Sequence, residues 1–262
     1  MPKVSTHVSV EKSRRELRFM RIVTYNIHSG VGVDKVQSYA RIGQFLASQC
    51  VDIALIQEMD TRPPERSIQD DVEQICAGHF TQLISSPALQ ESSGWYGNAV
   101  LSRYPVLSKR TLDVSQSGFQ PRNIQEVVLD TSLGPLRVIN THKGLKKQER
   151  RKQFALLAEY LREKMAGSKI PIVLGGDFNE WQFMTKAFKD INQVLNENPV
   201  RATFPVAWPL FRLDRLWTSF DLSLMKKRDA NISSISASVL KTPQTRQFSD
   251  HYPILLDIAQ RQ

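Results

Sequence analysis

Cysteine is scarce: the 262 residues include two, Cys50 and Cys76, and neither lies in a CxxC or a His/Cys cluster. That pattern excludes a thiolate zinc site and a redox dithiol, and both residues are expected as buried free thiols in a reducing compartment. No stretch approaches the ~18 uninterrupted apolar residues of a membrane span. The opening residues, MPKVSTHVSVEKSRRELRF, lack the apolar segment of a secretory signal. No stable membrane insertion is expected, and the expected location is the cytoplasm. Internal repeats, low-complexity tracts and Pro/Gly/Ser-rich linkers are also missing, which argues against a solenoid or a string of domains. With 41% hydrophobic and 23% charged residues, disorder and a collagen-like chain are excluded as well.

What is present starts with charge. Lys and Arg number 35 against 26 Asp and Glu, a formal net charge of +9. Such a surface concentrates anions, whether nucleic acid, phospholipid headgroups or small phosphorylated molecules, and does not choose among them. Residues 1 to about 18 show no apolar period and read as a flexible arm; residues 19–262 read as one domain. A chain of this size buries about 75% of its extended surface on folding, so its core needs no staple.

Strands are legible at Arg21–Asn26, Val51–Glu58, Gly97–Leu101, Glu126–Asp130, Leu136–Asn140, Ile170–Leu174, Leu213–Thr218 and Ile254–Ile258, from β-branched or continuous apolar runs. Two amphipathic helices are spaced by Tyr39, Ile42, Phe45 and Leu46, and by Phe154, Leu157, Tyr160 and Leu161 between Lys147 and Met165. So many strands with so few helices predict two packed mixed sheets with helices outside, not a doubly wound sheet.

Polar residues interrupt these strands at their ends. Asn26 ends VTYN, Glu58 ends IALIQE, His142 ends VINTH, Asp177 and Asn179 follow IVLGG, Asp214 sits in RLDRLW, and Ser249-Asp250-His251 precedes YPILL. Burying such groups costs several kcal/mol, on the order of 2–7 for a polar group, unless they are paired. Strand ends of a sandwich converge on one rim, where these residues would supply hard oxygen ligands for Mg²⁺ or Mn²⁺, a base for water and donors for phosphate.

The ordered set TYNIHSG, DIALIQE, GNAVLSRYP, VINTH, GGDFNEW, LDRLW and SDHYP resembles the endonuclease/exonuclease/phosphatase superfamily. The resemblance implies an α/β (α+β) fold, the four-layer α/β/β/α sandwich of DNase I. It implies a Mg²⁺- or Mn²⁺-dependent phosphoesterase that hydrolyses a phosphodiester or phosphomonoester by attack of an activated water. In that frame Glu58 is the principal metal ligand, Asn26 the accompanying amide, and Asp250 lies at or near the metal. Asp177 adjoins the attacking water, and an extended chain would project Asn179, two residues on, to the same side, at the phosphate. His142 donates to the phosphoryl oxygen in the transition state, and Asp214 pairs with His251 to fix its tautomer and favour its charged form. Arg122 and Asn98 are the candidate phosphate-binding residues. His7 and His79 read as structural, and His28 lies in the first loop.

The run Lys143, Lys146, Lys147, Arg150, Arg151, Lys152 reads either as a solvated helix face or as a guide for a polyanion. Glu58 is followed by Met59-Asp60 where the exonuclease III-type repair enzymes have a lysine, and Asp214-Arg215 lacks the Trp-Thr of the inositol 5-phosphatases. TFPVAWPLFRLDRLW is most similar to small stand-alone bacterial hydrolases of the superfamily. The expected partner is a phosphate-ester substrate, nucleic acid or phospholipid/inositol phosphate, acted on by a monomer. The alternative is a non-catalytic phosphate- or nucleic-acid-binding module that keeps the fold; it should have lost one of these groups.

Overall fold

The computed structural model describes residues 17–219 and 232–261. Most of the expected arm, residues 1–16 with His7, lies outside the described residues. Leu17 and Arg18 do not belong to it: they pair with Arg261 and Gln260 at the start of the first strand.

The strands in chain order are β1 (Leu17–Asn26), β2 (Ile53–Asp60), β3 (Gln82–Gln90), β4 (Trp95–Ser102), β5 (Val106–Asp113) and β6 (Asn123–Thr131). They continue with β7 (Gly134–His142), β8 (Ile172–Asp177), β9 (Asn196–Glu197), β10 (Asp214–Thr218), β11 (Ile232–Val239) and β12 (Ile254–Arg261). They form two six-stranded mixed sheets, ordered β11-β12-β1-β2-β4-β3 and β5-β6-β7-β8-β10-β9.

Side-chain alternation explains the layering. In β1 and β2 the residues Ile22, Ile53 and Leu55 face the second sheet and meet Val138 and Val173, while their neighbours Val23, Ala54 and Ile56 face outward onto helices. The period of two puts successive residues on opposite faces, and both faces are buried. Helices α1 (Tyr39–Ser48) and α2 (Ile68–Cys76) cover the first sheet through Tyr39, Ile42, Phe45, Leu46 and Ile75. Ser38 caps α1 by accepting from the Arg41 N–H at 3.3 Å. Helix α3 (Lys147–Gly167) and the short α4 (Lys189–Asn192) cover the second sheet, with Phe154, Leu157 and Leu161 on Leu174 and Trp217. A single turn, α5 (Thr245–Phe248), precedes β12. The result is the α/β/β/α sandwich that the strand pattern predicts.

Three amides cross the apolar interior between the sheets. Gln57 Nε2 donates to Asn140 Oδ1 at 2.7 Å, and Asn140 Nδ2 donates to the Ile56 carbonyl at 2.8 Å and to Gln125 Oε1 at 3.2 Å. A paired polar relay in a core specifies one register, because any slip leaves it unsatisfied.

The cysteines depart from expectation. Cys50 is exposed, in a left-handed turn after α1 (φ 52°), and Cys76, the last residue of α2, is half-buried; both are free thiols. Helix ends have no second layer above them. Among the described residues no helix is long and apolar enough to cross a membrane.

Candidate active site

Strand register assembles the site before any side chain is considered. In the second sheet His142 pairs with Asp177 across β7 and β8, and Asp177 pairs with Asp214 across β8 and β10, so three polar residues stand in one row. In the first sheet Asn26 pairs with Gln57, which places Glu58 one residue further on. The β2–β4 pairing shifts register between Ile56 and Met59, and Glu58 adopts a left-handed φ of 61° within that bulge. Such a kink re-aims a side chain at a strand end, and strained backbone of this kind concentrates at functional sites. Gly176 is required where β8 approaches β7: its φ is +157°, and a Cβ there would lie 2.0 Å from the Thr141 carbonyl.

Asn26 joins the two sheets. Its Nδ2 donates to Glu58 Oε1 and to Asp177 Oδ2, each at 3.0 Å, while its Oδ1 accepts from the His28 N–H at 3.0 Å. The amide thus clamps two carboxylates at one point. Burial raises the Glu58 pKa above the usual carboxylate range; the Asn26 bond opposes this and the Asp177 charge adds to it. Asp177 Oδ1 accepts from the Asn179 N–H at 2.9 Å, closing an Asx turn in which Asn179 has a φ of 49°. The expectation that an extended chain projects both to one side is therefore replaced by a turn. Asn179 Nδ2 reaches the His142 Nε2 at 3.1 Å and the Lys143 carbonyl at 2.9 Å.

The two histidines differ electrically. His251 Nδ1 lies 2.8 Å from Asp214 Oδ2, and its Nε2 lies 3.8 Å from Asp177 Oδ2 and 4.0 Å from Asp250 Oδ1. Burial alone would lower its pKa, but Asp214 first, then Asp177 and Asp250, outweigh it and push it up to about 10. His142, buried beside the Arg122 guanidinium, is pushed down to about 3 by burial first and that cation second. At neutral pH the site therefore holds one imidazolium and one neutral imidazole. Asp177, Asp214 and His251 bring ligand-capable atoms within 4.8 Å of one another, a cluster that could hold a metal ion.

Arg122 is buried just ahead of β6; it donates to the Pro121 carbonyl and Gln120 Oε1, makes no ion pair among the described residues, and leaves Nε without a partner. Asn98 is buried and spends its Nδ2 on Asn123 Oδ1 at 2.8 Å, holding the corner next to Arg122. Asp250 is the most open carboxylate of the group, its side chain 37% exposed.

Several neighbours escaped sequence reasoning. The Thr203 hydroxyl donates to Asp214, and the Ser249 hydroxyl donates to the Asn26 carbonyl at 2.8 Å while accepting from the His251 N–H. The Phe204 ring stands 4.7 Å from the His251 ring. Only Ser249 carried a signal, its place in SDH. The reading of residues 143–152 as one solvated face also fails in part. Lys143, tied through its backbone to Asp177 and Asn179, and Arg150, in the first turn of α3 against Glu180, are buried, while Lys146, Lys147, Arg151 and Lys152 are exposed. Arg150 faces Glu180 at 3.8 Å, whereas Lys143 Nζ has no partner among the described residues and burial pushes its pKa down to about 7. His79 is structural as expected, with Nε2 2.7 Å from the Val51 carbonyl. His28 is exposed, with Nδ1 3.0 Å from the Val31 carbonyl.

Comparison with known proteins agrees with this geometry. The uncharacterized protein YbhP of Escherichia coli K12 is 34% identical over 173 residues, and the match spans 63% of this chain and 63% of that relative's length. An endonuclease/exonuclease/phosphatase structure from Bacteroides vulgatus superposes with a TM-score of 0.71 at 18% identity, covering 93% of this chain and all (100%) of that one. A mannosyl-6-phosphatase from Bacteroides thetaiotaomicron gives 0.70 at 18% identity, with 91% and 99% covered. TDP2 of D. rerio, complexed with a single-strand DNA product, gives 0.66 at 15% identity, with 92% and 98% covered. At these identities the structures show a shared fold. The sequence itself matches the Endonuclease/Exonuclease/phosphatase family over residues 23–251, nearly the full span from β1 to the segment before β12, and the chain belongs to that family.

Proposed function

We propose that the chain from Leu17 onward acts as one catalytic domain, a Mg²⁺- or Mn²⁺-dependent hydrolase of phosphate esters. The observation that carries this reading is the convergence of Asn26, Glu58, Asp177, His142, Asp214 and His251 on one rim with Arg122, which has no ion pair among the described residues, nearby. The donor set fits a hard cation: Glu58, Asp177 and Asp250 are carboxylates, and Glu58 faces no Lys or Arg among the described ion pairs. Glu58 would hold the ion, with Asp250 and the Asn26 amide beside it. When bound, a divalent cation supplies positive charge to a phosphoryl oxygen.

The chain's own groups then divide the work. Asp177 orients the attacking water and takes its proton as the water oxygen bonds to phosphorus and the ester P–O bond breaks, the leaving oxygen taking a proton from solvent. The Nε2–H of cationic His251, held by Asp214, donates to the phosphoryl oxygen, where charge builds in the transition state. Neutral His142 accepts from the Asn179 amide at Nε2, which sets its ring orientation beside Asp177, next to the phosphoryl group. Arg122 binds a phosphate oxygen, and Asn98 positions it through Asn123. A module that only binds phosphate would have no use for the Glu58 and Asp177 carboxylates, which repel an anion.

Hydrolysis of bis(p-nitrophenyl) phosphate, p-nitrophenyl phosphate, single-stranded DNA, RNA and phospholipids with and without EDTA tests the reading. Loss of turnover on chelation, restored by Mg²⁺ or Mn²⁺ and poorly by Zn²⁺, is expected. Full turnover in EDTA, or none on any ester with metal present, overturns it.

A further inference from the structure

The rim of the site continues outward as a chain of aromatic rings. Phe204, against His251, meets Trp181 at 5.6 Å; Trp181 meets Phe211 at 5.1 Å; Phe211 stacks on Phe183 at 5.6 Å. At its outer end large apolar side chains stand in water: Phe183 is 79% exposed, Met184 97%, Trp208 73% and Leu210 50%. Two loops carry them, 180–188 after β8 and 204–211, the latter closed on itself by the Phe204–Phe211 bridge. Isolated exposed apolar residues are ordinary, but a group of this size beside a catalytic rim marks an interaction surface.

Cations flank the group on both sides. On one side a cleft of about 360 Å³ is lined by Lys147, Arg151 and Lys186. On the other, a groove of about 420 Å³ alongside Val206 and Ala207 is lined by Arg246. Glu180, the acid of the first cleft, is buried against Arg150.

We propose that this rim docks on the surface of an anionic phospholipid membrane, so that the phosphate ester reaching His251 and Asp177 belongs to a lipid headgroup. Composition decides for lipid over single-stranded nucleic acid. Met184 and Leu210 offer no π-face to a base, and the rings of Phe204, Trp181 and Phe211 are spent on one another. A protruding Trp, Phe, Met and Leu with Lys and Arg around them is the composition of an interfacial anchor, apolar tips entering the acyl boundary and cations meeting headgroups. The substrate class rests on the hydrolase reading; the docking does not.

Sedimentation with vesicles in EDTA, where no turnover occurs, reads docking apart from hydrolysis. Wild-type protein should partition onto vesicles of equimolar phosphatidylglycerol and phosphatidylcholine and not onto phosphatidylcholine alone. The triple variant Phe183→Ser, Met184→Ser, Trp208→Ser should lose at least about tenfold in partitioning, with an unchanged unfolding midpoint because all three side chains are exposed. Lys147→Gln with Lys186→Gln should weaken binding and flatten its salt dependence. No partitioning of the wild type, equal partitioning onto both vesicles, or an unaffected triple variant overturns the proposal. So does a triple variant that loses single-stranded oligonucleotide binding while keeping vesicle binding. Failure of the hydrolase reading would show instead as absent turnover with docking intact.

Discussion

Asp214 Oδ2 lies 2.8 Å from His251 Nδ1, joining residues 37 apart in sequence, and the imidazole is held charged as a result. Removing the carboxylate charge in Asp214→Asn should bring the His251 pKa down from about 10 and cut turnover roughly 10²- to 10⁴-fold while leaving the fold intact. The folded pKa lies above the unfolded value of about 6.5. The pair's stabilisation is therefore fully present below that value and lost as pH rises towards about 10. In the variant the imidazolium titrates away earlier and the pH optimum moves down. An NMR titration of His251 alongside the pH–rate profile checks both; an unchanged pKa with unchanged turnover would show that the pair has no catalytic part.

Glu58 and Asp177, both tied to Asn26, crowd anionic charge at one point. Mg²⁺ at about a hundred times its Kd should raise the stability of the wild type by about 2.7 kcal/mol, and Glu58→Gln should lose about tenfold or more in metal affinity. Calorimetry with paired melting curves is the measurement. Identical Mg²⁺ affinity in wild type and variant removes Glu58 from the ligand set.

The Lys143 amine is buried with no partner among the described residues. Its folded pKa of about 7 lies below the unfolded value of about 10.4, so the unfolded chain binds more protons between them and stability climbs with pH across that window. Lys143→Met should add about 1–3 kcal/mol at pH 7 and below, and should abolish the climb. Urea unfolding at pH 6, 8 and 10, values spanning roughly that window, reads both effects.

Gly176→Ala forces a Cβ onto the Thr141 carbonyl at a φ unfavourable to side chains. A loss of about 2–4 kcal/mol is expected, with turnover falling even where the variant folds, because the β7–β8 register carries His142 and Asp177 together. Denaturation midpoints and kcat on bis(p-nitrophenyl) phosphate test it; a neutral substitution would mean that the two strands can separate without cost.

What sequence reasoning reached and missed follows from burial. The strands it located are β1, β2, β4, β6, β7, β8, β10 and β12, all internal, and those it passed over are β3, β5, β9 and β11, the four sheet edges. Internal strands bury both faces and read as apolar runs. VLSKRTLD in β5 and ISSISASV in β11 are half-exposed, and QLISSPALQ in β3 is broken at Pro87 by a bulge. The site was legible where a carboxylate or imidazole interrupts an apolar run, as at Glu58, His142 and Asp177. Thr203 and Phe204 were not, since a threonine and a phenylalanine in a loop look like any others until Asp214 and His251 are placed against them. Lys143 was misread because a lysine in a basic run looks solvated by its neighbours, and only the fold reveals which one turns inward.

β12 and β1 lie at opposite ends of the described residues, yet they pair, and the residues just ahead of β12 deliver Asp250 and His251. Ser249 meets the Asn26 carbonyl only when that pairing is made. A nascent chain halted before residue 254 has Glu58, Asp177 and His142 but not the strand that seats the imidazolium beside Asp214. The candidate site is therefore completed by the pairing of two segments remote in sequence, and the β1–β12 register and the seating of His251 form together.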